Sequence, residues 1–557
     1  MADAPTLELV LKRNSIERLK RDKFPLDIVN ELPDIIERGY ENISEEDVVR
    51  FMWYGLYHDK PKVGYFMMRV KIPSGILNPE QFRMIGELSR TYGRNEGELS
   101  TRQNVQLHWI KLDYLPDIFA KLASVGLTTV GGCGDAVRNI TGCPVAGIDR
   151  DEIFDCTQLI KDSAAFFYGH RVYSDLPRKH KISISTCACH CNAPEINCIS
   201  LIGTIKDGRK GYAVRVGGGL STVPRVSKHM GVFVPEEDSI DVLKAILDAW
   251  RTNLKYRLSR VKARLKFMVD DFGAEGMRAE TERELGRKLE DLPETPQPAG
   301  FTEHVGINAQ KQPGLSYIGF PVYCGRITGE QIIQIADIAK MVGGDVRLTR
   351  QQNFIVANVA DADVQRVIEA IGLIGFPLDV SRLHATAIGC TGSPLCNYAV
   401  AETKTKLDEL LQHIEGVFGR TADDVLITVD GCPHACAHHW IADIGLQGST
   451  LRERGVAGEK LEAYEIYLRG GIGGPNAAIG RPIIRRIPEG EAKFHVERLL
   501  RSFLDNREAN EPFKSFAERH SDEQLIAFTT GQSLEAVMAA SKSTNRGAAR
   551  AADDPNA

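Results

Sequence analysis

The sequence predicts an α+β protein built from two related halves. Two segments about 250 residues apart, Tyr65–Ile110 and Tyr317–Val359, each read as strand, helix and strand: an alternating apolar run, a stretch of 3.6-residue period and a second alternating run. Matching positions carry the same residues: Gly75 and Gly325, Glu80 and Glu330, Gln81 and Gln331, Ile85 and Ile335, and, after a two-residue gap, Thr101-Arg102-Gln103 and Thr349-Arg350-Gln351. A duplicated α+β unit follows from this repeat.

The repeat continues beyond these segments. Two further alignments are Lys181–Cys191 with Val425–Cys436, which places Cys187 and Cys191 opposite Cys432 and Cys436, and Val214–Thr222 with Tyr467–Gly474. The Pro-rich stretch Asp291–Gly300 is the clearest linker and separates the halves. Two halves related by pseudo-two-fold symmetry are expected to enclose a site between them.

Composition excludes several classes of protein. A chain of 557 residues is long enough for two to four domains. Hydrophobic content of 43%, charged content of 26% and a net charge of -5 show no global bias toward nucleic acid or membrane. The N-terminus lacks the pattern of a targeting segment, and no apolar run is long enough to span a bilayer. Twelve cysteines are too sparse for a disulfide scaffold and suit ligands in a reducing compartment, so we expect a cytoplasmic protein.

Four cysteines in the second half form two pairs. Cys390 and Cys396 are spaced C-x5-C, and Cys432 and Cys436 are spaced C-x3-C. A cubane iron–sulfur cluster needs one soft anionic ligand for each of its four irons, so the pairs predict a 4Fe-4S cluster. Structural zinc sites usually space paired ligands two to four residues apart, so C-x5-C fits zinc poorly. Zinc and unrelated buried thiols are the alternatives.

Cationic motifs in the first half predict an anion site. The motifs contain Arg69, Lys71, Arg102, Gln106, His108, Arg138, Arg178, Lys179 and Lys181. In runs that we interpret as strands, even spacing places Arg102, Gln106 and His108 on one face, and likewise Lys179 and Lys181, with His180 on the opposite face. Convergent cations suit a polycarboxylate cofactor and a small oxyanion. For any single one of them, a solvated surface charge is the alternative.

Together these motifs resemble a known family, the siroheme and iron–sulfur nitrite and sulfite reductases. The resemblance rests on the cysteine pairs, YFMMR, TRQNVQLHWI, VRNITGCPVAG, LPRKHK, VGGGLST and the duplication, and covers Ile16 to Ile526. It implies siroheme and a 4Fe-4S cluster as cofactors, ferredoxin as electron donor, and a six-electron reduction of sulfite to sulfide or of nitrite to ammonia. A monomer is expected, with neither nucleic acid nor membrane as partner. A zinc-ribbon module and a simple iron–sulfur electron carrier are the rival classes.

The resemblance also implies roles for individual residues. The cluster ligands would be Cys390, Cys396, Cys432 and Cys436, with Cys436 also bridging to the siroheme iron. The substrate oxyanion would be surrounded by Arg69, Arg138, Lys179 and Lys181. The siroheme carboxylates would lie near Arg102, Gln106, His108 and Arg178.

The same resemblance divides the chain into domains. It predicts an N-terminal extension over 1–16, a first ferredoxin-like repeat over 17–127, a siroheme and substrate domain over 128–299 that ends in the Pro-rich linker, a second ferredoxin-like repeat over 300–380, an iron–sulfur and siroheme domain over 381–526, and a C-terminal extension over 527–557. From about Ser541 the chain is small and polar, and we expect disorder there.

Two details favour sulfite as the substrate. Sulfite-reducing members resemble this chain in having Lys-x-Lys, whereas plant and cyanobacterial nitrite reductases carry Asn where Lys181 stands here, and a second cation better matches a doubly charged anion. Tyr57 and Cys133 match positions that form a covalent Tyr–Cys link in some sulfite-reducing members; the alternative is a buried aromatic ring and an unmodified thiol. The stretch VRNITGCPVAGIDRDEIFD instead resembles cyanobacterial nitrite reductases, so nitrite remains the second candidate.

The chain also departs from the family pattern. His434 stands where an Asn is common between the last two cluster cysteines. Four further cysteines, Cys187, Cys189, Cys191 and Cys198, lie close together, with Cys143 upstream; they either form a second metal site or fill small buried positions. The basic segment Arg251–Lys266 reads as a helix, either a solvated face or a contact for ferredoxin or siroheme. His438 and His439 are interpreted as structural.

Overall fold

The computed structural model describes residues 5–60, 63–300 and 303–540 and divides the chain into two compact units. Unit 1 comprises Met1–Val380 with Pro394–Asn397 and Ile472–Ala477. Unit 2 comprises Ser381–Ser393, Tyr398–Gly471 and Ala478–Ala557. The tail expected to be disordered, from Ser541, lies outside the described residues.

Unit 1 contains these helices: α1 (Leu7–Arg13), α2 (Ser15–Asp22), α3 (Ile28–Arg38), α4 (Glu45–Phe51), α5 (Pro79–Tyr92), α6 (Leu115–Ser124), α7 (Thr157–Phe167), α8 (Ser239–Arg251), α9 (Leu265–Leu285, interrupted at Gly273), α10 (Gly329–Met341) and α11 (Val364–Leu373). Its strands are β1 (Leu56–His58), β2 (Phe66–Val70), β3 (Ile76–Leu77), β4 (Glu96–Leu99), β5 (Val105–Ile110), β6 (Thr141–Gly142), β7 (Ile182–Ser185), β8 (Ile199–Lys206), β9 (Arg209–Val216), β10 (Lys228–Pro235), β11 (Glu290–Asp291), β12 (Gly306–Ala309), β13 (Leu315–Phe320), β14 (Arg326–Thr328), β15 (Asp345–Leu348) and β16 (Phe354–Ala360).

Unit 2 contains the remaining elements. Its helices are α12 (Arg382–Thr386), α13 (Lys404–Phe418), α14 (Ala492–Asn506), α15 (Phe513–Arg519) and α16 (Asp522–Thr530), and its strands are β17 (Ile388–Gly389), β18 (Ile427–Asp430), β19 (Ile444–Arg454), β20 (Lys460–Leu468) and β21 (Arg481–Pro488).

The two predicted strand–helix–strand repeats form two five-stranded sheets that exchange strands. The first sheet has the order β1-β2-β5-β4-β14 and the second the order β12-β13-β16-β15-β3, so each repeat lends one short strand to the other's sheet edge. Gly75 and Gly325 precede these strands at φ of +73° and +66°, a conformation that glycine adopts without strain. One hydrophobic core, with Phe66 and Phe320 among its members, runs through both repeats. The repeats therefore share one core.

Helices α5 and α10 begin in the same way, which confirms their alignment. Asn78 and Gln81 form a capping box at α5, and Thr328 and Gln331 form one at α10, so the matched glutamines each bond the backbone of their own cap residue. A methyl group on Gly86 would lie 2.7 Å from the carbonyl oxygen of Gly329. Glycine is required there because the two helices pack closely.

The alignment of the TRQ triplets was wrong by one residue. Gln103 and Gln352 are the equivalent residues, because the Gln103 side chain donates to the Leu348 carbonyl at 3.0 Å and the Gln352 side chain donates to the Leu99 carbonyl at 2.8 Å. Both glutamines have positive φ in matching turns, at 57° and 64°. The gap is therefore one residue rather than two, and Arg102 has no arginine counterpart in the second repeat.

The remaining two sheets repeat one another in topology. In unit 1, β6, β7 and β8 run parallel and β9 to β11 continue antiparallel. In unit 2, β17, β18 and β19 run parallel and β20 and β21 continue antiparallel. A core that includes Tyr212 and Trp250 packs the unit 1 sheet against its helices. The predicted α+β class with duplicated halves is confirmed.

Candidate functional site

Arg69 lies in β2 directly opposite Gln106 in β5. Its Nε donates to Gln106 Oε1 at 3.0 Å, and its Nη1 donates to the Gly132 carbonyl at 3.2 Å. Gln106 in turn donates from Nε2 to Glu98 Oε2 at 3.1 Å. The guanidinium is therefore held in one orientation, as planar recognition of an oxyanion requires.

His108 lies on the same face of β5 as Gln106, as predicted, and both contact Glu98. Its Nδ1 is 3.0 Å from Asp59 Oδ1, and its Nε2 is 3.4 Å from Glu98 Oε2. Burial opposes charge on this ring, but the hydrogen bonds and charges of Asp59 and Glu98 outweigh it and raise the pKa of His108 to about 10. The protonated His108 ring thus contacts Glu98, which in turn accepts from the Gln106 side chain that orients Arg69.

Arg138 and Lys71 add two buried cations. Arg138 donates from Nη1 to the Gly132 carbonyl at 2.9 Å and from Nη2 to the Gly134 carbonyl at 2.7 Å. Lys71 is 1% exposed, and its Nζ lies 3.0 Å from the centroid of the Tyr168 ring. Burial and the neighbouring arginines lower the pKa of Lys71 well below its usual value. Sequence reasoning noted Lys71 but did not assign it to the site, although its spacing from Arg69 indicated the same face.

Arg102 does not lie on the strand face predicted for it. It stands in the turn before β5, which the bond from Gln103 N to Ser100 O closes at 3.0 Å. That expectation was wrong because the strand begins only at Val105.

The turn instead directs Arg102 across unit 1. Its Nη1 donates to Asn197 Oδ1 at 2.8 Å and its Nη2 to the Asn139 carbonyl at 2.6 Å, while its buried Nε has no partner among the described residues. Burial lowers the pKa of Arg102 to about 10, and Arg138 and Arg69 act in the same direction. The arginine is therefore part of the same group of cations.

Lys179 and Lys181 precede β7 rather than lying in it. His180 pairs with Val137 in an isolated parallel bridge, and its ring packs 5.3 Å from that of Trp250. Burial, Arg102 and Arg264 lower the pKa of Lys181 well below its usual value. Lys181 thus lies within the field of the other cations.

Arg178 is anchored by a carboxylate. Its Nη1 lies 3.0 Å from Asp135 Oδ1, and Arg260 Nη1 lies 2.8 Å from Asp135 Oδ2. Burial would raise the pKa of Asp135, but Arg260 and Arg178 hold it below its ordinary value. A siroheme carboxylate at Arg178 would have to share this arginine with Asp135.

The basic segment Arg251–Lys266 is not the helix that was predicted. Between the end of α8 and the start of α9 it forms two single 3-10 turns, Leu254–Arg257 and Arg260–Lys262. Arg257 is buried in an ion pair with Glu17 at 2.6 Å. Several of these cations therefore serve internal contacts, which helical periodicity alone could not reveal.

Tyr57 and Cys133 lie next to each other. The phenol hydrogen-bonds with the Cys133 thiol, and Arg69 Nη1 lies 3.3 Å from Cys133 Sγ. Burial, followed by Cys133, raises the pKa of Tyr57. The pair is thus next to the residue predicted to bind substrate.

Three of the predicted cluster cysteines lie on two loops of unit 2. Cys390 follows β17, and Cys432 and Cys436 follow β18. The Gly431 N–H donates to Cys390 Sγ at 3.2 Å. Burial, Asp430 and Cys436 raise the pKa of Cys390 well above its usual value, so its thiolate requires a cationic partner such as cluster iron. These donors fit an iron–sulfur cluster.

Asp430, at the end of β18, shapes the second loop. Its Oδ1 accepts from Ala437 N at 2.7 Å, and its Oδ2 is 2.9 Å from His439 Nδ1. His439 is fully buried, which agrees with the structural role expected for it. His434 packs edge-on against Tyr398, with ring centroids 5.1 Å apart.

Cys396 belongs to the short stretch that is part of unit 1. It pairs with Asp59 in an isolated bridge, and Lys60 N donates to the Leu395 carbonyl at 3.1 Å. Asp59 is also the carboxylate that pairs with His108. The fourth cysteine is therefore fixed to the backbone next to the Arg69 network.

Comparison with known proteins identifies the family. The model described as nitrite and sulphite reductase 4Fe-4S domain matches residues 133–289 and 383–531, and the model of the nitrite/sulfite reductase ferredoxin-like half domain matches 58–125 and 308–374. The chain belongs to the nitrite and sulfite reductase family. The resemblance, the fold class and the enzyme class predicted from sequence are confirmed. The cofactors of this family are siroheme and a 4Fe-4S cluster.

Relatives of both substrate classes match this reductase. It is 32% identical to "Sulfite reductase [ferredoxin]" of Mycobacterium tuberculosis H37Rv over 539 residues, covering 92% of this chain and 96% of the relative. It is 34% identical to "Ferredoxin--nitrite reductase" of Leptolyngbya laminosa over 497 residues, covering 87% and 96%. The solved structure of the Mycobacterium tuberculosis NirA protein superposes with a TM-score of 0.87 at 30% identity, covering 92% of this chain and 97% of that one.

Across residues 5–60, 63–300 and 303–540, this reductase has no helix that is both long and apolar enough to cross a bilayer.

Proposed function

We propose that this reductase converts sulfite to sulfide in a six-electron reaction, with ferredoxin as electron donor. The observation that carries the proposal is a group of mutually repelling cations in unit 1, of which Lys71 and Arg138 are buried and Arg69, Arg102 and Lys181 are half-buried. Buried like charges are costly unless an anion offsets them. A doubly charged oxyanion and a carboxylated cofactor would supply that negative charge.

The residues of this chain have distinct tasks in the proposal. Arg69 and Arg138, whose guanidinium groups are fixed by backbone carbonyls, bind and orient the oxyanion. Lys179 and Lys181 donate protons as oxygen atoms leave as water, and the lowered pKa of Lys181 makes its ammonium a stronger acid. Siroheme and the 4Fe-4S cluster supply the electron-transfer chemistry when bound.

The remaining site residues hold the cofactors. Arg102, Gln106, His108 and Arg178 would hold the siroheme carboxylates, and Cys390, Cys396, Cys432 and Cys436 would hold the 4Fe-4S cluster, with Cys436 serving siroheme as well. Because Gln106, His108 and Arg178 already contact protein carboxylates, they mainly position their neighbours. We place the enzyme in the cytoplasm as a monomer and keep the domain boundaries at 17–127, 128–299, 300–380 and 381–526.

The visible spectrum of the purified enzyme tests the proposal. Siroheme gives an intense Soret band and long-wavelength bands that a simple iron–sulfur carrier or a zinc module lacks. Iron and acid-labile sulfide assays on the same sample report the cluster. A protein made with adequate siroheme supply that shows no such bands would contradict the proposal.

The substrate preference is tested at Lys181. The variant Lys181→Asn removes one cation from the site, so we expect kcat/KM for sulfite relative to nitrite to fall by at least about tenfold. Lys121→Asn, which removes an exposed lysine on α6, is the matched control. An unchanged ratio would contradict the role of Lys181 in substrate preference.

The 34% identity to a nitrite reductase makes nitrite-to-ammonia reduction the second candidate.

The Tyr57–Cys133 pair is tested by mass spectrometry. A thioether link joins a ring carbon of Tyr57 to Cys133 Sγ, and the two hydrogen atoms and their electrons pass to dioxygen. The joined peptides would therefore be lighter by two hydrogens than the sum of the separate ones. Full alkylation of Cys133 in the denatured protein would contradict the link.

A further inference from the structure

Unit 1 contains a second convergence of soft ligands that the proposed reaction does not use. Cys143, Cys191 and His304 have ligand atoms within 4.8 Å of one another, and so do Cys187, Cys189 and Cys191. The two triads share Cys191. Cys198, which sequence analysis grouped with these cysteines, instead accepts a hydrogen bond from Arg264 Nη2 at 3.2 Å.

The duplication of the fold explains the position of these residues. Cys143 directly follows β6 as Cys390 follows β17, and Cys187 and Cys191 follow β7 as Cys432 and Cys436 follow β18. The two loops also share backbone conformation. His190 and Ala435 have φ of 52° and 56°, and Ala193 and His438 have φ of 52° and 72°. Three thiols of unit 1 thus stand at the positions equivalent to three predicted cluster ligands.

Distances between the ligand atoms indicate a single ion rather than a second cubane. Cys187 Sγ is 3.5 Å from Cys191 Sγ, and Cys143 Sγ is 3.9 Å from His304 Nε2. Tetrahedral zinc with Zn–S near 2.3 Å places its sulfur ligands about 3.8 Å apart. A cubane binds each thiolate to a different iron and therefore needs its ligands more widely spaced.

His304 is a suitable fourth ligand. It is 2% exposed, and its Nδ1 lies 3.3 Å from the Tyr317 hydroxyl, which leaves Nε2 directed toward Cys143. A hydrogen bond to the second ring nitrogen is what orients metal-binding histidines. The buried Arg350 donates to the Cys191 carbonyl at 3.2 Å and brings a positive charge toward the thiolates.

We propose that Cys143, Cys187, Cys191 and His304 bind one zinc ion. Three thiolates and one imidazole are a common tetrahedral zinc set. The ion would connect the loops after β6 and β7 to the chain just before β12, where the second half begins, and Cys189 would lie beside it. The role is structural, because all four coordination positions are filled by protein.

Metal analysis of the intact holoenzyme tests the proposal. We expect roughly one equivalent of zinc per chain in addition to the iron of siroheme and cluster, and a zinc K-edge absorption spectrum dominated by sulfur at about 2.3 Å. Zinc at that stoichiometry with only nitrogen and oxygen neighbours would contradict the site. So would an absence of zinc, a disulfide between Cys187 and Cys191, or iron and sulfide sufficient for two clusters.

Variants connect the metal to these residues. Cys187→Ser and His304→Gln should each lose most of the zinc. Cys324→Ser, which changes a buried cysteine that is not a proposed zinc ligand, should keep it. Loss of zinc with retained siroheme bands would separate this site from the catalytic one. If Cys187→Ser fails to fold, the absorption spectrum of the unmodified enzyme still decides the outcome. Retention of full zinc in both variants would overturn the proposal.

Discussion

The loop after β7 in unit 1 and the loop after β18 in unit 2 have similar backbone conformations but carry different potential metal ligands. Each loop carries two cysteines four residues apart. In each unit a third cysteine follows the preceding short strand: Cys143 follows β6 and Cys390 follows β17. The unit 1 loop adds Cys189 and a nearby histidine, whereas the fourth ligand predicted for the iron–sulfur cluster is Cys396. Ligand spacing and the fourth donor, rather than the fold, therefore decide which metal each half suits.

The largest expected effect separates the two loops. Cys436→Ser should abolish sulfite reduction and remove the bands of siroheme coupled to the cluster, because it deletes the predicted bridging ligand. The equivalent change in unit 1, Cys191→Ser, should leave those bands in place. Visible spectra and iron content of both variants measure this. Equal loss of siroheme in both variants would mean that the loops do not have separate roles.

A smaller effect concerns the protonated side chain of His108, which contacts Glu98 in the network around Arg69. The pKa of His108 is about 10 in the fold, against an ordinary value near 6.5, so the folded protein holds a proton that the unfolded chain releases as pH rises. By linkage, its contribution is at most about 5 kcal/mol; it is full below pH 6.5 and is lost as pH rises through 10.

Urea unfolding at pH 6 and pH 9 measures that contribution. The gap in unfolding free energy between the wild type and His108→Gln should shrink at the higher pH. His413→Gln, which breaks the unit 2 pair with Glu497 at 2.9 Å, is the comparison variant. A gap for His108→Gln that is the same at both pH values would contradict the ion pair.

The smallest effect concerns the contact between the repeats. Arg83 on α5 pairs with Asp337 on α10 at 2.5 Å, and both side chains are substantially exposed, at 41% and 55%. Exposed pairs contribute little, so Arg83→Ala should lower the unfolding free energy by about 0.5 kcal/mol or less. A double-mutant cycle with Asp337→Ala, at low and high salt, measures the coupling. A loss above about 2 kcal/mol would contradict the small contribution expected of an exposed ion pair.

Periodicity and residue spacing in the sequence were sufficient to predict the duplication and the helices α5 and α10, and to recognise the cysteine pairs. These features depend on local sequence: caps, alternating strands and fixed spacings are readable without the fold. Arg102 and the segment Arg251–Lys266 were misplaced because a turn and two 3-10 turns interrupt patterns that look regular in the sequence. Lys71 was left out of the site because its burial depends on Tyr168, which is distant in the chain.

The sequence by itself determined the fold class and the family, and it predicted which cysteines bind metal. Only the tertiary structure decided which partners the charged residues have, because ion pairs such as His108 with Asp59 join distant parts of the chain. It also decided that Cys143 and His304 meet the cysteines after β7, whereas Cys198 meets Arg264. Coordination depends on distances of a few ångströms in space, and residue spacing specifies those distances only within one loop.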